Sequence, residues 1–456
     1  MMIAIEKIKD WCRRNENRNA FILIFACIVG VFAGFGAFLL KSLIRYIALG
    51  LHLGISYIGI ARINPDCWLL LLPLAGILLA VFWQKKVARC DMVHSTRHIV
   101  EYLNSRNYNI PGRIIFNPIV ACGITLGFGG SAGAEGPIAY AGAATGSRLG
   151  RALGLDPDLL RIMIGIGAGA GIAGIFKSPV AGMLFTLEVL KMNMGAAPVI
   201  GLLMSCVFAS VTCYAFTGTS LYLPFSQTGI PDVPFHWICL LGVFCGIYSV
   251  VYNVITHGMQ VFFKTRKRAW VTWLTGGLTA GVILMMFPSI YGEGYPIMTQ
   301  LINGDVNGVL ASGFLSETPA HTLRFMALLA ALLVMKALAT VCSNSAGGVA
   351  GDFAPTLFAG AVGGTLFSMA MQYFFNIDIP VSLCALFAMS GTFAGIVHAP
   401  VMAIFLVTEI SGTFQYIFPI TLCAAASYFT VKLIHPAGTY LATRNDDIAA
   451  LMKNWN

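Results

Sequence analysis

The sequence predicts an all-α integral membrane protein made of two inverted-topology repeats of tilted and broken transmembrane helices. Composition is the first reason. The chain is 57% hydrophobic and only 10% charged, with a mean hydropathy of +0.80, whereas soluble domains carry roughly a quarter charged residues. The second reason is a set of uncharged apolar runs at 20–40, 67–84, 269–292, 353–377 and 410–431. Each is near or above the ~18–20 residues that a spanning helix needs. They are continuous, unlike the short alternating segments of a membrane β-barrel. The third reason is an internal repeat, described below.

Taken in order, residues 1–19 are charged and of mixed sign, and read as a cytoplasmic helix before the first span; no signal-peptide pattern opens the chain. Residues 20–61 form one apolar stretch interrupted by Lys41 and Arg45, either a long tilted helix or a helix followed by an interfacial turn. The polar region 85–113 holds a short helix at 96–103. Glycine is dense from 116 to 174, which suits closely packed membrane helices. The apolar pieces 137–147, 162–176 and 179–187 are short and read as helices that stop partway through the membrane.

Basic residues set the topology. Lys7, Lys9, Arg13, Arg14 and Arg18, the segment 85–89 and the segment 264–268 are placed inside. The loops 218–234 and 303–321 contain no Lys or Arg and are placed outside. The net charge of +9 therefore marks cytoplasmic loops and not a nucleic-acid partner. The twelve cysteines are scattered, without C-x-x-C spacing, and read as small hydrophobes.

The repeat has ordered landmarks. G-I-F-K-S-P-V-A-G-M-L-F-T-L-E at 174–188 matches G-I-V-H-A-P-V-M-A-I-F-L-V-T-E at 395–409. Upstream, G-A-E-G-P at 133–137 matches G-D-F-A-P at 351–355, and Ser-Ala-Gly precedes both, at 131–133 and 345–347. Glycine-proline breaks at corresponding positions of two halves mark a transporter whose broken helices meet near the midplane.

Glu135 is the only charged residue between Arg113 and Arg148. A carboxylate in so apolar a context is a functional candidate. Pro137 suits a helix start, and the free N–H groups and dipole of such a start form an anion site. Deprotonated, Glu135 fills that site itself; protonated, it swings away. Backbone amides near Asp352 and Phe353 form the matching site. The Asp352 carboxylate either turns to water or a partner, the preferred reading, or is a second titratable group. Glu188 and Glu409 read as helix-end carboxylates facing water or a basic neighbour, and Lys177 and His398 as loop residues at the vestibules. His398 has no second ligand at metal spacing, so no metal or other cofactor is expected. Residues 129–133 also fit G-x-S-x-G, with Ser131 as nucleophile, but that motif needs a strand–turn–helix. A membrane-embedded serine hydrolase is kept only as a distant alternative to a non-enzymatic protein.

These residues resemble the CLC family of chloride channels and proton/chloride exchangers. G-A-E-G-P is similar to its G-[RK]-E-G-P signature, G-D-F-A-P to its G-x-F-x-P signature, and H-P-A-G-T-Y at 435–440 to the segment with its pore tyrosine. The resemblance implies a CLC-like transmembrane domain over 20–444, with halves of roughly 20–217 and 235–440, and a cytoplasmic tail at 445–456 without CBS motifs. It implies a homodimer in the lipid bilayer of the cell membrane, both termini cytoplasmic, that moves chloride or similar small anions as a channel or a proton-coupled antiporter. Glu135 would be the gate. Amides at Ala134, Gly136, Asp352, Phe353 and Ala354, with the Tyr440 hydroxyl, would bind the anion, and Glu188 would be a weak candidate for a proton pathway. Three departures stand out. Ala134 replaces the family's Arg or Lys. C-D-M-V-H-S-T-R-H at 90–98 stands where G-S-G-x-P is expected, leaving His94 or Ser95 for the central serine. Val189 occupies the position of an inner proton-transfer carboxylate. The altered 90–98 segment keeps a fluoride- or nitrate-selective exchanger as the alternative.

Overall fold

A computed structural model describes residues 18–58, 67–90, 95–227, 233–266, 268–309 and 323–435. Among these the chain is helical, and one isolated antiparallel bridge joins Gly133 to Gly351. The first half contains α1 (Arg18–Ile58), α2 (Leu72–Phe82), α3 (Ser95–Asn104), α4 (Asn117–Gly127), α5 (Glu135–Ala152), α6 (Pro157–Phe176), α7 (Pro179–Leu184) and α8 (Ala196–Thr217). The second contains α9 (Phe235–Lys264), α10 (Ala269–Met286), α11 (Tyr295–Ile302), α12 (Leu323–Ser345), α13 (Phe353–Phe375), α14 (Val381–Val397), α15 (Pro400–Ser411) and α16 (Ile417–Ile434). Nine helices among the described residues are long and apolar enough to cross a membrane.

Two expectations about helix length are decided by the coordinates. The stretch 20–61 is one 41-residue helix as far as Ile58, about 60 Å at 1.5 Å per residue. That is twice the hydrocarbon thickness of ~30 Å, so α1 tilts or emerges. The piece 162–176 does not stop partway. It begins five residues earlier, because the Asp156 side chain accepts the Leu159 N–H at 3.3 Å and Pro157 opens the first turn. Arg161, which interrupted the apolar run in the sequence, is exposed near that end. By contrast α7 and α15 are short helices opened by proline at the first position.

Glycine brings the helices into backbone contact, and it does so alike in both halves. A Cβ on Gly30 or Gly34 of α1 would collide with the carbonyls of Ser205 and Ala209 on α8. A Cβ on Gly242 or Gly246 of α9 would lie 2.8 Å from the carbonyls of Cys423 and Ser427 on α16. The pair α5 and α6 meets through Gly142 and Gly167, each against the other's carbonyl, and α13 meets α14 where a Cβ on Gly360 would lie 2.5 Å from the Met389 Cα. Small residues at such crossings let dispersion and backbone contacts hold helices where lipid removes the hydrophobic incentive. The buried core is continuous from α4 and α5 through α13, α14 and α15, while Ile200, Phe216, Phe235, Phe418 and Leu433 point outward. That outward apolar rim is what lipid or another subunit would cover.

Candidate anion site at three helix N-termini

The centre is built from two loops that mirror each other. Each leaves its helix through a glycine in the left-handed region, Gly129 at φ 89° and Gly347 at φ 103°, where any Cβ is strained. The loops then exchange bonds reciprocally. The Ser131 N–H donates to Ser343 Oγ at 3.2 Å, and the Val349 N–H donates to Thr125 Oγ1 at 3.1 Å. Gly133 N–H reaches the Gly351 carbonyl at 2.7 Å, and Gly351 N–H reaches the Gly133 carbonyl at 2.6 Å. Exchange of matched groups in both directions is what a two-fold relation between the halves produces. It agrees with the register of the G-A-E-G-P and G-D-F-A-P match, in which Gly133 aligns with Gly351. The two Ser-Ala-Gly copies are not equivalent: Gly133 pairs with Gly351, while Gly347 corresponds to Gly129. The repeated tripeptide therefore falls outside this register, and the left-handed glycine, not the Ser-Ala pair, fixes the loop geometry.

The bridge directs α5 and α13 toward one point. Glu135, in the first turn of α5, is 1% exposed. Its Oε1 accepts the Ala354 N–H at 3.0 Å, and its Oε2 has no hydrogen-bond partner among the described residues. The carboxylate is thus seated at the N-terminus of α13, where the helix end favours negative charge. A Cβ on Gly351 would lie 2.9 Å from Oε2 and 3.0 Å from the Gly136 nitrogen, so glycine is required for the carboxylate to fit. Phe353 walls the site, its ring 6.0 Å from Phe185 and 5.0 Å from Phe393, both edge-on. Ser95, at the start of α3, is buried against the same place, its Cβ 3.8 Å from where a Gly136 side chain would begin. Three helix N-termini therefore converge on Ser95, Gly136 and the Phe353–Ala354 amides. Ala134 is fully buried just before α5. His94 and Tyr440 lie outside the described residues.

Other expectations are met or changed by neighbours. Asp352 turns from the site, its Oδ1 accepting Asn344 Nδ2 at 2.9 Å. Glu188 and Glu409, both partly buried, have no basic partner among the described residues and bond to helix starts instead. Glu188 accepts the N–H of Val401 at 3.2 Å and of Met402 at 2.7 Å, capping α15. Glu409 accepts the N–H of Val180 at 3.1 Å and of Ala181 at 3.0 Å, and the Ser178 hydroxyl, capping α7. Each half caps the other's short helix, because α7 and α15 start beside each other's ends and leave free N–H groups there. Lys177 and His398 both end their helices in the left-handed region, at φ 55° and 60°. Lys177 is buried and tied to the carbonyls of Gly218 and Ser220 at 2.8 and 2.9 Å, so it anchors a loop and does not line a vestibule.

Two charged features escaped sequence reasoning. Lys336, within α12, is fully buried with its ammonium 2.9 Å from Ser131 Oγ. Lys41 and Glu293 form a partly buried ion pair at 2.7 Å, with the ammonium 4.8 and 4.7 Å from the rings of Tyr222 and Tyr295. A lysine in the middle of the apolar stretch 325–339 was the available signal for the first. Nothing local links residues 41 and 293. Ser131 and Lys336 have the contact of a Ser–Lys nucleophile pair, yet both are fully buried and Ser131 donates to the Ile290 carbonyl at 2.8 Å. The Ser131 hydroxyl is thus committed to a backbone carbonyl and the Lys336 ammonium, a structural contact.

Fold and site together define a helical membrane protein whose broken helices turn their N-termini toward one buried point. Residues 76–432 match the family described as "Voltage gated chloride channel", and the chain belongs to that family. Its relatives include a protein named as a ClcB-like chloride channel from Ralstonia nicotianae, 29% identical over 71% of this chain and 73% of that one. The H(+)/Cl(-) exchange transporter ClcA of Vibrio vulnificus is 25% identical over 68% of this chain; the match spans 64% of the exchanger's length. The fold is also that of a slow cyanobacterial Cl-/H+ antiporter, with a TM-score of 0.77 at 22% identity over 94% of this chain and 98% of the other. A CLC-type fluoride/proton antiporter superimposes with a TM-score of 0.71 at 20% identity, over 93% and 97% of the two chains.

Proposed function

We propose that the chain carries chloride or a similar small anion across the membrane, with Glu135 as the gate. The observation behind this is the Glu135 carboxylate seated on the Ala354 amide at the start of α13, where an anion would bind. Amides of Ala134, Gly136, Asp352, Phe353 and Ala354, with Ser95, form the binding surface, and Tyr440 or His94 completes it. Amides suit flux because they hold an anion without a full positive charge. Protonation removes the carboxylate from its own site and opens the path.

In this reading residues 20–444 are the transport domain and two copies assemble as a homodimer in the cell membrane, with both termini cytoplasmic. The halves are inverted. With the Lys/Arg-free loops 218–234 and 303–321 outside, α1 runs outward and its counterpart α9 runs inward. Glu188 serves as a cap and not as a proton relay, and with Val189 beside it passive conduction is the favoured mode. Chloride flux with simultaneous proton recording in proteoliposomes tests the whole reading. Wild type should carry chloride with a pH dependence that Glu135→Ala removes while flux persists. An unchanged pH dependence in that variant refutes the gate. Uphill proton movement makes the protein an antiporter, and stronger competition by fluoride or nitrate than by chloride reassigns the ion.

A further inference from the structure

Lys336 is the buried charge that this function leaves unused. Its ammonium donates to Ser131 Oγ at 2.9 Å, to the Gly292 carbonyl at 2.9 Å and to the Ile290 carbonyl at 3.2 Å. It also lies 4.9 Å from the centre of the Phe358 ring, on α13. The ligands are neutral, and among the described residues no carboxylate is within ion-pair distance of it. A cation so placed costs several kcal/mol, and carbonyls solvate it without cancelling its charge.

What the lysine grips is the segment that carries the gate. Ser131 stands four residues before Glu135. The turn at 288–294 is pinned to the same segment by Ser131 Oγ on the Ile290 carbonyl at 2.8 Å and by Tyr291 Oη on the Gly127 carbonyl at 3.1 Å. The ring of Tyr291 also packs on Gly129. The other charges nearby are accounted for. Lys41 on α1 and Glu293 in the turn neutralise each other, and Asp352 on the α13 side is bonded to Asn344. In the register fixed by Gly133 and Gly351, position 336 corresponds to Pro118 and position 135 to Phe353. The unneutralised cation and the gate carboxylate therefore both break the two-fold relation, at opposite ends of one short segment.

We propose that Lys336 is a positioning residue for the gate: a fixed internal cation that holds segment 129–135 in place and favours negative charge, from Glu135 or from the transported ion, at the start of α13. This rests on the anion-transport reading above. Removing the cation makes the Glu135 carboxylate easier to protonate and the anion easier to lose.

The test is chloride flux against external pH and chloride concentration in proteoliposomes, for wild type, Lys336→Arg, Lys336→Met and Ser131→Ala. Lys336→Met should move the midpoint of the pH–flux curve toward alkaline pH by roughly one unit and raise the half-saturating chloride concentration several-fold. Lys336→Arg should keep both near wild type. Ser131→Ala retains the cation and should lower thermal stability with little change of midpoint. In a Glu135→Ala background, Lys336→Met should leave the flux pH-independent while still weakening chloride saturation. Should Lys336→Met not fold, Lys336→Gln carries the same expectation, since its amide can donate to the same carbonyls without charge. A folded neutral variant with the wild-type midpoint and saturation overturns the proposal. Absence of chloride flux in wild type overturns the transport reading, and this proposal with it.

Discussion

The reciprocal caps give a prediction whose size follows from the contacts. Glu409→Ala removes three hydrogen bonds to a carboxylate, from the Val180 and Ala181 N–H groups and the Ser178 hydroxyl. Ser178 and Ala181 are fully buried, so their donors find no water in exchange. Each stranded buried donor costs about 1–3 kcal/mol, and bonds to a charged acceptor stand at the upper end. The burial cost of the carboxylate itself is recovered on deletion, which trims the sum. A net loss of about 3–4 kcal/mol follows. Glu188→Ala removes two such bonds, and one donor belongs to Val401, which is 43% exposed. Its loss should be about half as large. Glu409→Gln retains one carbonyl acceptor and should fall between Glu409→Ala and wild type. Melting in detergent at a fixed scan rate reads the order, with a drop of roughly 5–10 °C for Glu409→Ala. Chloride flux should persist in Glu188→Gln. The reasoning fails if Glu409→Ala melts with wild type. It fails equally if Glu188→Gln melts normally but changes proton movement, which would make Glu188 a relay and not a cap.

Further predictions follow from glycine positions. Gly351→Ala places a methyl 2.9 Å from Glu135 Oε2. It should expel the carboxylate from its seat and flatten the pH dependence of flux, as read in vesicles; a wild-type pH profile would contradict the seating. Gly167→Ala drives a methyl into the Gly142 carbonyl and should part α5 from α6, costing about 1–3 kcal/mol. Gly360→Ala should do the same to α13 and α14, and a matching fall in melting temperature for the two variants tests whether the halves pack alike.

Much of this protein could be read from its sequence. Low charge and long apolar runs require a helical membrane protein, because lipid offers no partner to an unpaired backbone group. The break at 133–137 and its counterpart at 351–355 were legible because proline and glycine act locally, by fixing φ or freeing it. Glu135 stood out for the same reason that it is costly: a lone carboxylate in an apolar run announces itself. Contacts between distant segments were not legible. Glu188 and Glu409 end apolar helices in the sequence, and only the crossing of α7 and α15 turns each into the cap of the other's start. Ser131 looked like a nucleophile in its own pentapeptide; 205 residues away in sequence, Lys336 occupies its hydroxyl. The register of the two loops was legible in the match of 133–137 with 351–355, and the Gly133–Gly351 bridge agrees with it. Composition and local backbone chemistry thus determined the class, the breaks and the isolated buried carboxylate at 135. Tertiary structure decided which buried charges meet, since the partner of a desolvated group is set by packing and not by sequence distance.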